Sequence, residues 1–526
     1  MKILVSDKLD ADGLKILENS GFPVDVKTGM NEDELCSVIG GYDCIIIRSG
    51  TKVTAKVLAS ADKLKVIGRA GVGVDNIDVP TATEKGILVM NTPAANILSA
   101  AEHTCAMLLS VARNIPFAHA SMHRGEWTRS KFTGVEMNGK ILGIIGVGRV
   151  GGEVARRMKS FNMEVVGYDP FLPKEVADDI GVRLTTLDEV LQISDFMTIH
   201  TPLLPSTRNM ISDKQFDMMK SNAMLANVAR GGVVDEDALY RALNDGKIAA
   251  AAFDVWCNEP LNESEKKLLD LPNLVTTPHL GASTVEAQNR VAIEVATAAV
   301  KFLKDGIITN AINAPRGKLD PESAEFLPLA ERMGAFVHKY NDKPIESLEI
   351  IYRGGLASKQ TKMLTVSAVM GVIKGIVGEE NANIINALPV AKQKGMAVTE
   401  SKTDDCKTYS DMIEIKVTSG DKTTAVRGTV LGGEPRLVGL DGFSFNVPMR
   451  GGMMFLRYSD APGVIGAVGT VLGKEKVNVA QMAVSRSASK ALMIVTADQS
   501  ITDSVLKEIA NASDADEAGS VDMVND

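Results

Sequence analysis

The stretch Leu142-Gly-Ile-Ile-Gly-Val-Gly-Arg-Val-Gly151 constrains this chain most, because an apolar run that reads as one buried strand leads directly into Gly146-x-Gly148-x-x-Gly151. In that spacing the first glycine permits a tight turn, the second lets backbone approach a pyrophosphate, and the third lets the next helix pack on the sheet. Val150, Val154, Met158 and Phe161 follow at near-helical spacing. The loop amides therefore open a helix whose N-terminus carries about half a positive charge and attracts phosphate. Glu164-Val-Val-Gly-Tyr168 reads as the next strand and ends at Asp169. A carboxylate there accepts hydrogen bonds from an adenosine ribose and repels a 2′-phosphate, so the expected cofactor is NAD.

At 526 residues the chain exceeds one core, and about 100 to 200 residues per domain predicts three or four. A net charge of −9 with no Lys/Arg cluster argues against a nucleic-acid partner. The five cysteines are odd in number and form no CxxC, which indicates neither a disulfide framework nor a thiolate metal site. Met1-Lys-Ile-Leu-Val5 begins a strand rather than a signal peptide, and no apolar run approaches the roughly 18 residues needed to span a membrane. The expected location is the cytoplasm.

The first ninety or so residues alternate short apolar strands with helix patterns, as in a small parallel α/β unit. Arg48-Ser49 ends one of its strands and Arg69-Ala-Gly-Val-Gly-Val-Asp75 ends the next, at the edge where open α/β sheets bind ligands. Two guanidiniums suit a phosphate or carboxylate, though surface ion pairs are an equal reading. Ser99-Ala-Ala-Glu102 reads as a capping box opening a long helix, and Ser283-x-x-Glu286 as another. His103, His119 and His123 read as packing or surface histidines, since no acid or metal-spaced partner accompanies them. Between the two helices, strands at Phe196 to His200, Ala223 to Val228, Ala251 to Val255 and Leu274 to Thr277 all end in polar residues, and the second helix is expected to return to the first unit. The nucleotide unit is then an insertion, with a cleft between the two.

Asn313-Ala-Pro-Arg-Gly-Lys-Leu-Asp-Pro321 reads as a linker. Beyond it, helix patterns (Ala324 to Lys339, Ala368 to Val377) mix with strands (Ser347 to Tyr352, Met412 to Thr418, Thr423 to Leu431), and Arg436 and Arg450 are either an anion site or surface residues. From Met453 the order is βαββαβ, a two-layer module that often pairs with its own copy.

Removing a hydride from an alcohol carbon requires that the hydroxyl proton leave too. His279 is the natural acceptor near neutral pH, Glu259 can orient it, and Arg230 can hold a carboxylate and the developing carbonyl oxygen. Asp254 is placed to orient a nicotinamide amide. Singly these are turn or capping residues; jointly, at the ends of one nucleotide-binding sheet, they read as a catalytic set.

Gly146-Val-Gly-Arg-Val-Gly151 with Asp169, Asn227-Val-Ala-Arg-Gly-Gly232, Phe253-Asp-Val-Trp256 with Glu259-Pro260, and Pro278-His-Leu-Gly-Ala-Ser283 resemble the signatures of the NAD-dependent D-2-hydroxyacid dehydrogenases. The resemblance spans nearly the whole chain and implies an α/β fold. Two Rossmann-like doubly wound parallel-sheet domains (residues 1–97 with 283–316, and 98–282) precede an α+β intervening domain (317–450) and a ferredoxin-like ACT domain (451–526). It implies that Arg230, Glu259 and His279 are catalytic. It also implies that NAD meets Gly146, Gly148, Arg149, Val150, Gly151, Asp169, Thr201, Val228, Ala229, Arg230, Asp254, His279, Gly281 and Ala282. Arg48 and Arg69 would hold a substrate phosphate and backbone at Val72 and Gly73 its carboxylate, with Ser49 also in the substrate site. The implied reaction is oxidation of 3-phospho-D-glycerate to 3-phosphohydroxypyruvate, the first step of phosphorylated serine biosynthesis, in a homodimer or homotetramer. Serine is the implied effector, at Tyr458, Asp460 and Asn478, although some members carry His and Asn where Tyr458 and Asp460 stand here. The alternatives are a glyoxylate or hydroxypyruvate reductase on the same fold and an NAD-sensing scaffold without turnover.

Overall fold

Four sheets follow one another along the chain, and the first two are parallel throughout. The computed structural model describes residues 1–315, 319–341, 343–487 and 489–523. The first sheet runs Val24–Val26, Ile3–Val5, Cys44–Ile47, Val66–Arg69, Leu88–Met90. Apart from the edge strand Val24–Val26, which carries Asp25, its strands are apolar up to their ends because both faces are covered: Ile3, Val5, Cys44 and Ile46 enter one core, Leu4, Ile45, Ile47 and Ile67 another.

The second sheet has seven strands in the order Leu274–Thr276, Ala250–Phe253, Met224–Asn227, Phe196–Ile199, Ile141–Ile145, Glu164–Tyr168, Arg183–Leu184. Chain order reverses between Phe196–Ile199 and Ile141–Ile145, and a ligand crevice opens at such a switch point. The glycine fingerprint leaves the strand there. The edge strand Arg183–Leu184 has only two residues, too few to leave a periodic signal in the sequence.

The helix Ile97–Ala112 carries the chain from the first sheet to the second, and Val285–Asp305 carries it back. Val291, Ala292, Val295 and Ala299 share one core with Ile3 and Val5. A Cβ on Gly13 would lie 2.7 Å from that of Ala292, so the returning helix seats only because position 13 has none. Both expected capping boxes are corrected. The first helix already starts at Ile97, after Asn96, which makes no side-chain cap, and Ser99 lies inside its first turn with its hydroxyl buried and unpartnered. At the second, Ser283 spends its amide on Leu280 O, and Thr284 instead accepts from Ala287 N at 3.2 Å.

The third sheet orders Ala397–Thr403, Ser347–Gly354, Asp411–Ser419, Lys422–Leu431, Glu434–Leu440, Phe443–Pro448, antiparallel except for its first pair. The helices Phe326–Tyr340 and Lys362–Val377 pack on one another through Gly334 and Gly371, where any Cβ would overlap the opposing backbone. The expected linker falls partly on residues 316 to 318, outside the described residues, as does the expected boundary at 316/317.

The last sheet orders Val479–Ser487, Lys490–Ala497, Gly452–Ser459, Ala515–Asp522, all antiparallel. Two helices cover one face, and the third unit covers the other: Met453, Phe455, Leu492 and Ile494 share a core with Phe336 and Tyr340. Arg457 seals this seam, donating to Tyr340 Oη and Asp441 Oδ2 at 2.9 Å each and to Glu517 Oε2 at 3.2 Å. Arg436 and Arg450 both pair with Glu434, so neither is a free anion ligand. Among the described residues no helix is long and apolar enough to cross a membrane, and no cluster could hold a metal ion.

Candidate active site

The carboxyl edges of the two parallel sheets face one another across a cleft of about 830 Å³, lined by Arg48, Arg69 and Gly73 on one side and Arg230, Glu259 and His279 on the other. Sequence reasoning assigned these residues to one site, and the fold brings them together.

The three fingerprint glycines each meet a different steric demand. Gly146 has φ +91°, and a Cβ there would press on the His200 backbone at 2.9 Å. Gly148 faces open space, which leaves its backbone accessible to a ligand. At Gly151 a Cβ would overlap Gly146 O, so only glycine lets the helix Arg149–Lys159 start so close to the strand. Gly148 is the N-cap and makes no side-chain cap, leaving the amides of the first turn for an anion. Asp169 closes the loop: Oδ2 accepts from Val147 N and Oδ1 from Phe171 N, both at 3.0 Å, and lone pairs remain for ribose hydroxyls. Thr201 Oγ1 is buried without a partner, as expected of a hydroxyl whose acceptor is a bound ligand. These residues fit a dinucleotide. Arg149 is exposed, Val150 and Ala282 are half-buried, and Val228 and Gly281 are buried in contact range, a Cβ on Gly281 falling 3.2 Å from Val228 Cγ1.

His279 sits at φ +55°, a conformation rare for a residue with a side chain. The loop is held there from beneath. His279 N donates to Asp254 O at 2.8 Å, while Asp254 Oδ1 and Oδ2 accept from Leu280 N and Gly281 N at 2.7 and 2.8 Å. Glu259 Oε2 lies 2.6 Å from His279 Nδ1, and its Oε1 accepts from Trp256 N at 3.1 Å. Burial pushes the Glu259 carboxyl up, but the hydrogen bond and charge of His279 outweigh it and hold Glu259 below the ordinary carboxylate range. With Nδ1 so engaged, Nε2 is the ring nitrogen that remains for a ligand, and His279 lines the cleft.

Arg230 donates Nη1 to Ala229 O at 2.6 Å and Nε to Asp75 Oδ2 at 3.2 Å, bridging the two sheets. Its Nη2 lies over Gly73, where a Cβ would overlap it. Arg69 is mostly buried, with its guanidinium over Gly71 and its Nε lacking any partner. Burial, then the like charges of Arg230 and Arg48, pull its pKa down to about 10 against the opposing pull of Asp75 and Asp7, so it stays charged at neutral pH. Arg48 and the exposed Ser49 lie on a loop pinned by Asp7, whose Oδ2 accepts from Arg48 N at 2.6 Å and Thr51 N at 3.1 Å. Asn76 donates to Arg48 O, and Asn91 to Val72 O at 2.6 Å. Asp7, Asn76 and Asn91 escaped the sequence reading. Asp7, two residues past a strand end, was the one signal available.

The reading of His103 as partnerless is corrected: its Nε2 lies 3.2 Å from both Asp254 Oδ1 and Thr277 Oγ1, partners remote in sequence. His119 and His123 are both exposed and meet edge to face with ring centroids 4.3 Å apart, as surface histidines. In the last module, Tyr458 is buried in the core, while Asp460 pairs with Arg486 at 3.4 Å and exposed Asn478 bonds Asp498.

A glycine fingerprint at the switch point of one parallel sheet, facing arginines on a second, defines an NAD-dependent D-2-hydroxyacid dehydrogenase. Residues 105–281 match the NAD-binding domain of the D-isomer-specific 2-hydroxyacid dehydrogenases, 323–441 the D-3-phosphoglycerate dehydrogenase intervening domain, and 453–514 the ACT domain. The chain is 42% identical to D-3-phosphoglycerate dehydrogenase of Methanocaldococcus jannaschii (98% of this chain, 99% of that one) and 39% identical to that of Bacillus subtilis (98% of each). It belongs to the D-3-phosphoglycerate dehydrogenase family. Among solved structures it resembles a D-lactate dehydrogenase from Aquifex aeolicus complexed with NAD and lactic acid, with TM-score 0.55 and 28% identity over 60% of this chain and 100% of that one. A glyoxylate reductase from Paecilomyes thermophila gives TM-score 0.55 and 30% identity over 59% and 98%. The cofactor is NAD.

Proposed function

We propose that this enzyme oxidises 3-phospho-D-glycerate to 3-phosphohydroxypyruvate, the first step of phosphorylated serine biosynthesis. The carrying observation is the convergence of cations from both walls of the cleft, where Arg69, with a buried, unpartnered Nε, and Arg48 meet Arg230 from the opposite side. Such a pocket calls for an anion of more than one charge. In this reading Arg48, Ser49 and Arg69 take the phosphate, and the Val72 and Gly73 backbone with Arg230 takes the carboxylate.

His279 acts as the general base. With Nδ1 committed to Glu259, its Nε2 accepts the proton of the C2 hydroxyl, and Glu259 balances the imidazolium that forms. Arg230 donates to the oxygen as it becomes a carbonyl. Bound NAD supplies the hydride acceptor. The protein's part is to hold the pyrophosphate on the amides after Gly148, the ribose at Asp169, and the amide of the ring near Asp254. Thr201, Arg149, Val150, Val228, Ala229, Gly281 and Ala282 line the remainder of that path.

The units of this reading are 1–97 with 283–316, 98–282, 317–450 and 451–526. A homo-oligomer is supported by the exposed apolar side chains of Leu98, Ile115, Met122 and Trp127. The five unpaired cysteines accord with a reducing cytoplasm. Serine is the proposed effector of the ACT module, at Asp460 and Asn478 on its surface and Tyr458 beneath.

NADH formation by the purified enzyme with 3-phosphoglycerate, and with glycerate lacking the phosphate, tests the proposal. Strong preference for the phosphorylated acid is expected. Equal rates, or reduction of glyoxylate without regard to phosphate, identify a reductase of the wider family instead, and no turnover with any acid identifies a scaffold.

A further inference from the structure

We infer that His103, on the helix joining the two parallel sheets, is a positioning residue for the imidazole of His279, acting through Asp254 on the loop from Pro278 to Gly281. The inference rests on the proposed role of His279 as base. Asp254 is fully buried, and its carboxylate accepts from Thr277 Oγ1 at 2.5 Å, Leu280 N at 2.7 Å, Gly281 N at 2.8 Å and His103 Nε2 at 3.2 Å. The two amides flank His279 on its C-terminal side, and the Asp254 carbonyl takes the amide of His279 itself. One residue therefore fixes three successive amides around a side chain held at φ +55°.

The chemistry of the cluster assigns the tautomer of His103. Thr277 spends its single hydroxyl proton on Asp254 at 2.5 Å, so Thr277 Oγ1 and Asp254 Oδ1 are both acceptors toward His103. Nε2 must carry the proton. Burial alone drives the Asp254 carboxyl up, and the hydrogen bonds of His103 and Thr277, with those of the two amides, hold it below its ordinary value. Without the imidazole donor, Oδ1 keeps fewer partners in a site closed to water, and the carboxylate can recover only by turning away from Leu280 and Gly281 or by taking up a proton. Either change releases the loop. The displacement needed to matter is small, since misplacing a reacting group by about 1 Å can cost roughly a hundredfold in rate.

The test compares the full-length His103→Leu, His103→Gln and Thr277→Val variants with wild type and with His279→Ala. Hydride transfer is followed in a single turnover with 3-phosphoglycerate, NADH affinity by fluorescence, and folding by thermal melting. His103→Leu is expected to slow hydride transfer about tenfold while NADH affinity, which Asp254 and Gly281 also serve, falls by clearly less, a loss mainly in the transition state. His103→Gln, whose amide nitrogen reaches the position of Nε2, is expected to recover most of it. Thr277→Val, nearly isosteric, should act in the same direction and carries the test if His103→Leu fails to fold. Unaltered transfer in both His103→Leu and Thr277→Val, equal loss in the Leu and Gln variants, or a parallel loss of NADH affinity would overturn the inference. If His279→Ala alone is inactive, the role of His279 stands and that of His103 falls; if His279→Ala turns over normally, the assignment of the base itself has failed.

Discussion

Glu259 Oε2 and His279 Nδ1 are 2.6 Å apart, although twenty residues separate them and they follow different strands of the second sheet. The carboxylate lies below its ordinary range, because the bond and charge of His279 outweigh its burial. Such a group contributes stability above the ordinary glutamate pKa of about 4.3 and loses it as the pH falls through the lowered value. Melting temperature measured from neutral pH downward should therefore fall less steeply in Glu259→Gln than in wild type. The same variant keeps a hydrogen-bond acceptor but no charge to balance an imidazolium, and its turnover should fall by about a hundredfold. Parallel acid melting curves would show that the pair does not couple to folding.

Arg69→Met keeps length and apolar packing while removing the charge, and Arg48→Ala removes a second. Each should raise KM for 3-phosphoglycerate by about tenfold or more, a charged hydrogen bond being worth about 1.5 to 3 kcal/mol. An unphosphorylated 2-hydroxy acid should be affected far less. Steady-state kinetics on both substrates decides, and equal losses on both would remove the arginines from the phosphate site.

Asp169 holds the fingerprint loop through Val147 N and keeps lone pairs for a ribose. Asp169→Ala should weaken NADH binding by about tenfold and narrow the preference over NADPH, since the repelling charge is gone. Titrations by fluorescence with the two cofactors measure both effects. An unchanged preference would locate discrimination elsewhere.

Arg457 joins the last two units through Tyr340 and Asp441 and is held within its own unit by Glu517. Arg457→Met should cost about 1 to 3 kcal/mol in unfolding free energy, because the Asp441 carboxylate, mostly buried, keeps fewer donors. Denaturant unfolding of the full chain checks this. A change within about 0.5 kcal/mol, the range of an ordinary surface substitution, would mean that the apolar seam of Phe336, Tyr340 and Phe455 holds without it.

The parallel sheets were legible because strands covered on both faces must be apolar throughout, as Cys44–Ile47 and Ile141–Ile145 are, and because the glycine spacing has one steric solution. Strands with little covered surface left no such mark. Ala397–Thr403 is an edge strand with most side chains in solvent, and Arg183–Leu184 is too short to show a period. Arg230, Glu259 and His279 could be placed in one cleft because each stands at or just beyond a strand end, where the topology must deliver it. His103 and Asp7 escaped for a different reason: their partners lie far away in the chain, His103 meeting Asp254 and Thr277 and Asp7 meeting Arg48 and Thr51. The covering of the last sheet by Phe326–Tyr340 was equally hidden, since an apolar face does not name its partner.

The central claim is that the imidazole of His279 takes the substrate proton while the NAD site stands independently of it. Turnover of His279→Ala with 3-phosphoglycerate, measured beside its NADH affinity, tests this most directly. The account predicts a fall in kcat of about a hundredfold or more with NADH affinity changed by less than about twofold. Turnover within about twofold of wild type would contradict it.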